Sequence, residues 1–236
     1  MHEKTIEKAK AGDAEAQVRL GLLYASGSGL TQDYALAFEW SRRAALQGHA
    51  GAQHMLGVLY EAGHGVTQDY REAASWYRKA AEQGYAGAQY SLAMLYSNGE
   101  GVAQDDELAV HWYRRAAEQG DAVAQFNLAL MYTSGQGVPQ DDSQAVIWYR
   151  KAAEQGDCDA QYNLGAMYFD GRGMPQDYVE AYKWRKLAAS RATGDERTEY
   201  AEVSQVTATF MTAPQITEGE QRARDWQSAF DKRRDD

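Results

Sequence analysis

The amino-acid sequence repeats itself every 36 residues, five times over, without an insertion or a deletion. An Ala-Gln pair and a tryptophan fix the register of the copies. They recur at Ala16-Gln17, Ala52-Gln53, Ala88-Gln89, Ala124-Gln125 and Ala160-Gln161, and at Trp40, Trp76, Trp112, Trp148 and Trp184. A strict period of this length is typical of stacked units that bury their apolar faces against one another. We therefore predict one elongated domain whose function lies on a long surface rather than in an enclosed pocket.

Each copy contains two helices, which we call helix A and helix B. In the third copy, helix A has one apolar face at helical spacing, formed by Ala88, Leu92, Leu95 and Tyr96. Gly99 and Gly101 then end the helix and turn the chain, and Asp105 is a candidate N-cap for helix B. The buried stripe predicted for helix B consists of Ala109, Trp112, Ala116 and Ala117. Because two such helices cannot bury both apolar faces against each other, each repeat must pack on its neighbours.

The repeated pattern resembles that of Sel1-like repeat proteins. The pattern A-Q-x-x-L-G/A-x-x-Y-x-x-G-x-G-V-x-Q-D-x-x-x-A-x-x-W-Y-R-K-A-A-E-Q-G is nearly complete from Ala124 to Gly156, and its five copies cover most of the chain. The resemblance implies an all-α fold, an αα-superhelix (a right-handed solenoid) of helix-turn-helix repeats related to tetratricopeptide arrays. It also implies an adaptor that assembles protein complexes, often in bacterial signalling, secretion or envelope processes.

Departures from the pattern mark the ends of the array. Gly12 stands one full period before the glycine that ends the first helix B, so residues 1–13 are predicted to form a partial repeat that caps the stack. The five repeats occupy residues 14–190. Beyond them, residues 191–236 are predicted to form capping helices, the second of which starts at Thr212-Ala213-Pro214. The last six residues, DKRRDD, are predicted to be a frayed, solvated tail.

Composition and charge narrow the possible partners. The formal net charge is −10, from 24 basic and 34 acidic residues, which disfavours nucleic acid and anionic membranes as partners. No segment approaches the ~18 consecutive apolar residues of a membrane span, and the N-terminus lacks the apolar core of a signal peptide. We therefore expect a monomeric cytoplasmic protein, or a periplasmic one if a leader has been removed.

The sequence contains no recognisable catalytic, cofactor or metal motif. Its five histidines never occur at zinc-binding spacing. Cys158 is the single cysteine, which excludes an internal disulfide, and it aligns with an alanine in other copies, which favours a small core residue over a nucleophile. The Gly-x-Gly loops join two helices rather than a strand and a helix, so dinucleotide binding does not follow. We therefore predict no enzyme, no cofactor and no metal.

One surface of helix A is the candidate partner-binding site. Two residues before the core leucine the copies carry Val18, His54, Tyr90, Phe126 and Tyr162, with Met94 one turn further on in the third copy and with Arg19, Asn127 and Asn163 alongside. The stripe lies ~200° around the helix from that leucine, so we do not expect it to be buried within its own repeat. Two interpretations remain open: packing against the neighbouring helix A, or a concave groove that holds an extended or helical peptide.

The asparagines, and the function as a whole, each leave two alternatives. Asn127 and Asn163 suit hydrogen bonds to the backbone of a bound peptide, whereas the resemblance gives equal weight to a structural role in joining repeats.

For the whole protein we predict an adaptor whose groove binds one protein or peptide. The alternative, which the resemblance also allows, is an inhibitor or immunity-type protein that occludes a bacterial enzyme or toxin.

Overall fold

The computed structural model describes residues 2–235, with side chains described for residues 2–233. Within this range the chain forms thirteen α-helices and no strand. The helices are α1 (Glu3–Lys10), α2 (Ala14–Ser26), α3 (Tyr34–Leu46), α4 (Ala50–Ala62), α5 (Tyr70–Glu82), α6 (Ala86–Asn98), α7 (Asp106–Glu118), α8 (Ala122–Ser134), α9 (Asp142–Glu154), α10 (Cys158–Asp170), α11 (Tyr178–Arg191), α12 (Gly194–Ala208) and α13 (Ala213–Asp235). The even-numbered helices α2 to α10 are helix A of the five copies, and the odd-numbered helices α3 to α11 are helix B.

The helices group into two compact units. The first unit, Met1–Gln119, contains α1 to α7, and the second unit, Gly120–Asp236, contains α8 to α13. Within each unit every helix packs on the next one in the chain, except that α13 packs on α11. Paired helices that pack mainly on their sequence neighbours confirm the predicted all-α repeat fold.

The helix boundaries follow from capping chemistry. The side chain of Asp105 accepts a hydrogen bond of 2.9 Å from the backbone N–H of Leu108, which satisfies an otherwise unpaired donor at the start of α7. The equivalent aspartate caps each of the other four helix B segments. At the opposite boundary, α6 ends at Gly99, whose φ of 71° is the left-handed conformation that glycine adopts without strain. The predicted caps are therefore confirmed.

The second glycine of three loops, at Gly65, Gly101 and Gly173, has an additional role that its position alone did not reveal. Gly101 has a φ of 67°, and a Cβ atom at this position would collide with the backbone carbonyl of Tyr70. The loop of one copy therefore packs directly on the first residue of helix B in the preceding copy. Glycine is required there both for its conformation and for the close approach of two backbones.

In the second and third copies the buried residue of the Trp-Tyr pair in helix B is the tyrosine. Tyr77, Tyr113 and Tyr149 are buried, as are the predicted alanines and leucines, whereas Trp40, Trp76 and Trp112 are half-buried. Trp148 and Trp184 of the last two copies are buried. The prediction that Trp112 belongs to the buried stripe is therefore wrong in its placement of that ring. A small residue on the facing helix A leaves room for the tyrosine ring. The tryptophan ring is covered by a cationic side chain from the next turn of helix B; Lys79 Nζ, for example, is 3.9 Å from the centroid of the Trp76 ring.

A buried glutamine joins successive helices. The side-chain amide of Gln53 in α4 donates a hydrogen bond of 3.3 Å to the carbonyl of Ala45 near the end of α3. Its side-chain oxygen accepts a hydrogen bond of 2.7 Å from Gln83, which follows α5. The glutamine of the Ala-Gln pair thus forms a polar link between three helices. A buried side-chain amide needs hydrogen-bond partners for both its NH2 group and its oxygen.

The terminal helices pack on helices of the repeats, α1 on α2 and both α12 and α13 on α11. Ala9 of α1 is buried. In α13, Ala223 and Phe230 are buried, and the Trp226 ring meets the Trp184 ring of α11 edge-on at 5.7 Å. The predicted frayed tail is instead helical as far as Asp235, although the side chains of residues 231–233 are exposed.

Candidate partner-binding surface

The predicted stripe is half-buried, and three of the five residues one turn after it are exposed. The five stripe residues Val18, His54, Tyr90, Phe126 and Tyr162 are all half-buried. One turn further on, Leu22, Val58 and Leu130 are 53%, 41% and 38% exposed. The two rows lie on α2, α4 and α6 of the first unit and on α8 and α10 of the second, and we call the surface that they form within either unit the helix A face. Apolar side chains that are exposed at regular spacing on ordered helices are typical of a binding surface.

The rings of the stripe contact the tyrosine of helix B in their own repeat. The ring centroids of His54 and Tyr77 are 5.5 Å apart, and those of Phe126 and Tyr149 are 5.9 Å apart. The expectation that the stripe is not buried within its own repeat is therefore wrong. The reason is the reach of the tyrosine, whose ring passes over the small residue of helix A; a Cβ atom at Gly57 would collide with the Tyr77 ring.

His54 also contacts the next repeat. Its ring lies 5.2 Å from the Tyr85 ring, and its Nε2 atom lies 3.4 Å from the hydroxyl oxygen of Ser91 in α6. At this position, packing on the neighbouring helix A and contact with helix B occur together. Burial lowers the pKa of His54, because the cationic imidazolium loses hydration there.

The two asparagines bond within their own helices. The side-chain N–H of Asn127 donates 2.8 Å to the carbonyl of Val123, and that of Asn163 donates 2.8 Å to the carbonyl of Asp159. These bonds do not join repeats, and they use one of the two N–H donors of each amide. The amide oxygen and the second N–H are the groups with which either side chain would meet a partner. Arg19 is exposed at the equivalent position of the first copy.

The last member of the stripe is covered by the C-terminal cap. The Tyr162 ring stacks on the Tyr200 ring of α12 at 4.2 Å, with 17° between the ring planes. The Tyr200 hydroxyl donates a hydrogen bond of 2.7 Å to Asp159. Tyr162 is therefore the stripe residue most engaged by the chain itself.

A cleft of about 320 Å³ opens on the helix A face of the first unit, between α4 and α6. The hydroxyl of Tyr77 forms its floor and donates a hydrogen bond of 2.6 Å to the carboxylate of Glu61. Burial and this carboxylate raise the pKa of Tyr77, so the phenol stays protonated. The lining consists of Val58, Glu61, Ala62, Tyr70, Tyr77, Tyr90, Ser91 and Met94.

The structure thus brings two predicted residues, Tyr90 and Met94, into one cleft with three that the sequence analysis missed. Tyr77 carried a usable signal, because a tyrosine follows the tryptophan in the second, third and fourth copies. Tyr70 carried a weaker signal, because a tyrosine stands at its position in the first, second and fifth copies. Glu61 carried none, because the other four copies have Ala, Ser, Thr or Phe at its position.

The repeats of this chain match a known family model. The Sel1 repeat model matches residues 14–49, 50–85, 86–121, 122–157 and 158–192. The chain belongs to the Sel1 repeat family. Sel1 repeats are a non-catalytic protein-interaction fold, and proteins built from them are generally protein-interaction scaffolds.

Solved structures of other Sel1 repeat proteins share this fold. A Sel1 repeat protein from Oxalobacter formigenes is 37% identical, with a TM-score of 0.73 over 81% of this chain and 85% of its own. A protective antigen of uropathogenic Escherichia coli with an SLR fold is 33% identical, with a TM-score of 0.61 over 99% of this chain but only 58% of its own. A Sel1 repeat protein from Klebsiella pneumoniae subsp. pneumoniae is 26% identical, with a TM-score of 0.56 over 86% of this chain and 99% of its own. No curated protein matches the sequence.

The described part of this Sel1 repeat protein offers little for chemistry. Among residues 2–235, no group of His, Cys, Asp and Glu side chains is arranged to hold a metal ion, and no helix is long and apolar enough to cross a membrane. Cys158 is half-buried, and burial together with Asp159 and Asp157 raises the pKa of its thiol, the opposite of what an activated thiolate requires.

Proposed function

We propose that this Sel1 repeat protein is a non-enzymatic scaffold that binds a segment of one partner protein on its helix A face. The observation that carries the proposal is the exposure of Leu22, Val58 and Leu130 at the same position of three different repeats. Exposing large aliphatic side chains to water costs free energy, and a partner that covers them would recover about 25 cal/mol for each Å² of apolar surface removed from water.

The geometry favours an elongated partner segment. Each helix A presents a half-buried ring or valine and, four residues later, an aliphatic or small side chain, so the apolar surface recurs from helix to helix. A helical or extended peptide that crosses several A helices would meet one such pair per repeat. The amides of Asn127 and Asn163 would hydrogen-bond its polar groups.

Capture from a lysate of the cell that carries the gene tests the proposal with two matched variants. The face variant changes Leu22, Val58 and Leu130 to glutamine. The control variant changes Leu36, Leu108 and Ile147, which are 38%, 38% and 45% exposed on B helices, to glutamine. Both remove three exposed apolar side chains from helices, so their stabilities should match. We expect the face variant to lose the partner and the control variant to keep it; equal capture by both would contradict the proposal.

The affinity of the captured complex and its dependence on salt distinguish an adaptor from an inhibitor of a toxic enzyme. An inhibitor is expected to bind with a dissociation constant near the practical limit of affinity and with strong dependence on salt, since the chain carries a net charge of −10. An adaptor is expected to bind with micromolar affinity that changes little with salt. We propose the adaptor, because the exposed surface of the helix A face is mainly apolar.

A further inference from the structure

We propose that the cleft between α4 and α6 receives a lysine or arginine side chain of the partner protein. This inference rests on the proposed function and specifies the chemistry of one contact within it. The cleft combines a carboxylate, Glu61, with the rings of Tyr70, Tyr77 and Tyr90. An anionic group surrounded by aromatic faces is the environment that recognises an organic cation.

The carboxylate of Glu61 has acceptor positions at which it could bind a cation. Its hydrogen-bond partner among the described residues is the Tyr77 hydroxyl, and no Lys, Arg or His of that part of the chain forms an ion pair with it. A carboxylate has about four acceptor positions, and one phenol occupies one of them. A guanidinium or ammonium group would fill the remainder with charge-assisted hydrogen bonds.

The walls of the cleft suit the rest of such a side chain. Val58 and Met94 offer apolar contact for the methylene groups of lysine or arginine, which commonly lie along apolar surfaces while the charged end reaches a polar group. The phenol rings offer their negative faces to the cation. A partner side chain would therefore lie along the apolar wall, with its charge at Glu61.

The second unit contains an internal version of this contact. Asp142, the residue two periods after Tyr70, is bound by Arg172 through two hydrogen bonds of 2.8 and 3.2 Å. Burial raises the pKa of Tyr149, the equivalent of Tyr77, and the charges of Arg172 and Asp142 both act on that phenol. An arginine of the chain itself thus pairs with a carboxylate near the groove tyrosine of that repeat.

The first unit lacks that arginine. The residue two periods before Arg172 is Glu100, which adds negative charge instead of supplying a cation. Glu100 precedes Gly101, the residue that packs on the backbone of Tyr70, so this second carboxylate lies in the loop beside the cleft. Where the second unit provides its own cation, the first unit therefore requires one from a partner.

A direct binding measurement tests the assignment without the natural partner. N-acetyl-arginine amide is titrated into the full-length protein, and the ring and backbone NMR signals of Tyr77, Tyr90 and Ser91 are followed; N-acetyl-citrulline amide, which has the same shape without the charge, is the matched probe. We expect saturable shifts with the arginine probe only. Equal shifts with citrulline, or shifts confined to other residues, would overturn the assignment.

Two substitutions sharpen the result. Glu61→Gln should weaken binding of the arginine probe by at least about tenfold, because a charge-assisted hydrogen bond becomes a neutral one. Glu82→Gln, at an exposed glutamate of α5, should leave binding unchanged. Tyr77→Phe keeps the carboxylate and frees it from the phenol, so binding should be retained or strengthened; its loss in a folded Tyr77→Phe variant, or an unchanged affinity in Glu61→Gln, would overturn the assignment.

The outcome also separates this inference from the proposed function. If the face variant loses the partner while the arginine probe fails to bind, the cleft assignment falls and the proposed function stands. If the arginine probe binds and the face variant keeps the partner, the proposed function falls, and with it the assignment of the cleft to that partner.

Discussion

The side-chain amide of Gln119 donates a hydrogen bond of 2.7 Å to the side-chain oxygen of Gln89, a residue that lies 30 positions earlier and is almost completely buried. The amide of Gln89 in turn donates 3.1 Å to the carbonyl of Ala81 in the preceding helix B. One buried side chain thus links α5, α6 and the end of α7. Its removal takes away two hydrogen bonds between helices.

We therefore expect Gln89→Leu to lower the free energy of unfolding by about 1–2 kcal/mol, because the two hydrogen bonds of the Gln89 side chain are lost together. Urea unfolding followed by circular dichroism measures the change. Gln119→Ala, which removes the exposed end of the link, serves as the control and should cost less than half as much. Equal stability of Gln89→Leu and the wild type would show that the link is unimportant.

The Trp-Tyr pair of helix B yields a second stability prediction. Tyr113 is 4% exposed, whereas Trp112 is half-buried. Tyr113→Ala should therefore cost about 3–5 kcal/mol, the range for a large buried ring, and Trp112→Ala distinctly less. Chemical denaturation of the two variants under identical conditions measures the order. A larger loss at Trp112 would mean that the tryptophan is the principal core residue after all.

Ser41 offers a stabilising substitution. It stands where later copies have the buried tyrosine, it is fully buried, and its hydroxyl has no hydrogen-bond partner among residues 2–235. Ser41→Ala should raise the free energy of unfolding by about 1 kcal/mol, because an unsatisfied hydroxyl leaves the core. Ser75→Ala, at a half-buried serine of α5, controls for the helix propensity of alanine. A lower stability of Ser41→Ala would indicate a hydrogen bond that the buried hydroxyl does make.

From the lowered pKa of His54 we predict that the protein loses stability in mild acid. Burial lowers its pKa below the ordinary value of 6.5, so the unfolded chain binds a proton at a pH where the folded chain does not. The contribution of neutral His54 to the free energy of unfolding is complete at a pH above the ordinary pKa. It declines as the pH falls from that pKa towards the lowered pKa of the folded protein. The wild type should therefore lose more stability than His54→Gln between about pH 7.5 and about pH 5. His111→Gln, at an exposed histidine, should follow the wild type; parallel curves for all three proteins would refute the prediction.

The period and the capping chemistry explain why the fold could be predicted from the sequence. Helix lengths, the aspartate at the start of each helix B and the glycine at the end of each helix A are local signals, and each recurs often enough to be recognised. The orientation of neighbouring large rings is not local. Whether Trp112 or Tyr113 turns inward depends on the space left by Ala93 on the facing helix, which only the packed pair of helices reveals.

The candidate surface was predictable in part for the same reason. The stripe was found because it repeats; that it binds a partner stays a prediction. The cleft depends on Glu61, whose position holds Ala, Ser, Thr or Phe in the other four copies. A single residue that departs from the repeat looks like variation in a sequence; its meaning comes from the neighbours that the fold places around it.

Site-specific photo-crosslinking tests the central claim most directly. A photoreactive phenylalanine derivative replaces Val58 on the helix A face in one variant and Leu108 on a B helix in another, two exposed apolar positions of the first unit. Both proteins are irradiated in native lysate, and the crosslinked products are identified by mass spectrometry. We predict one partner protein crosslinked from position 58 and absent from position 108. The same product from both positions, or a specific product from position 108 alone, would contradict binding on the helix A face.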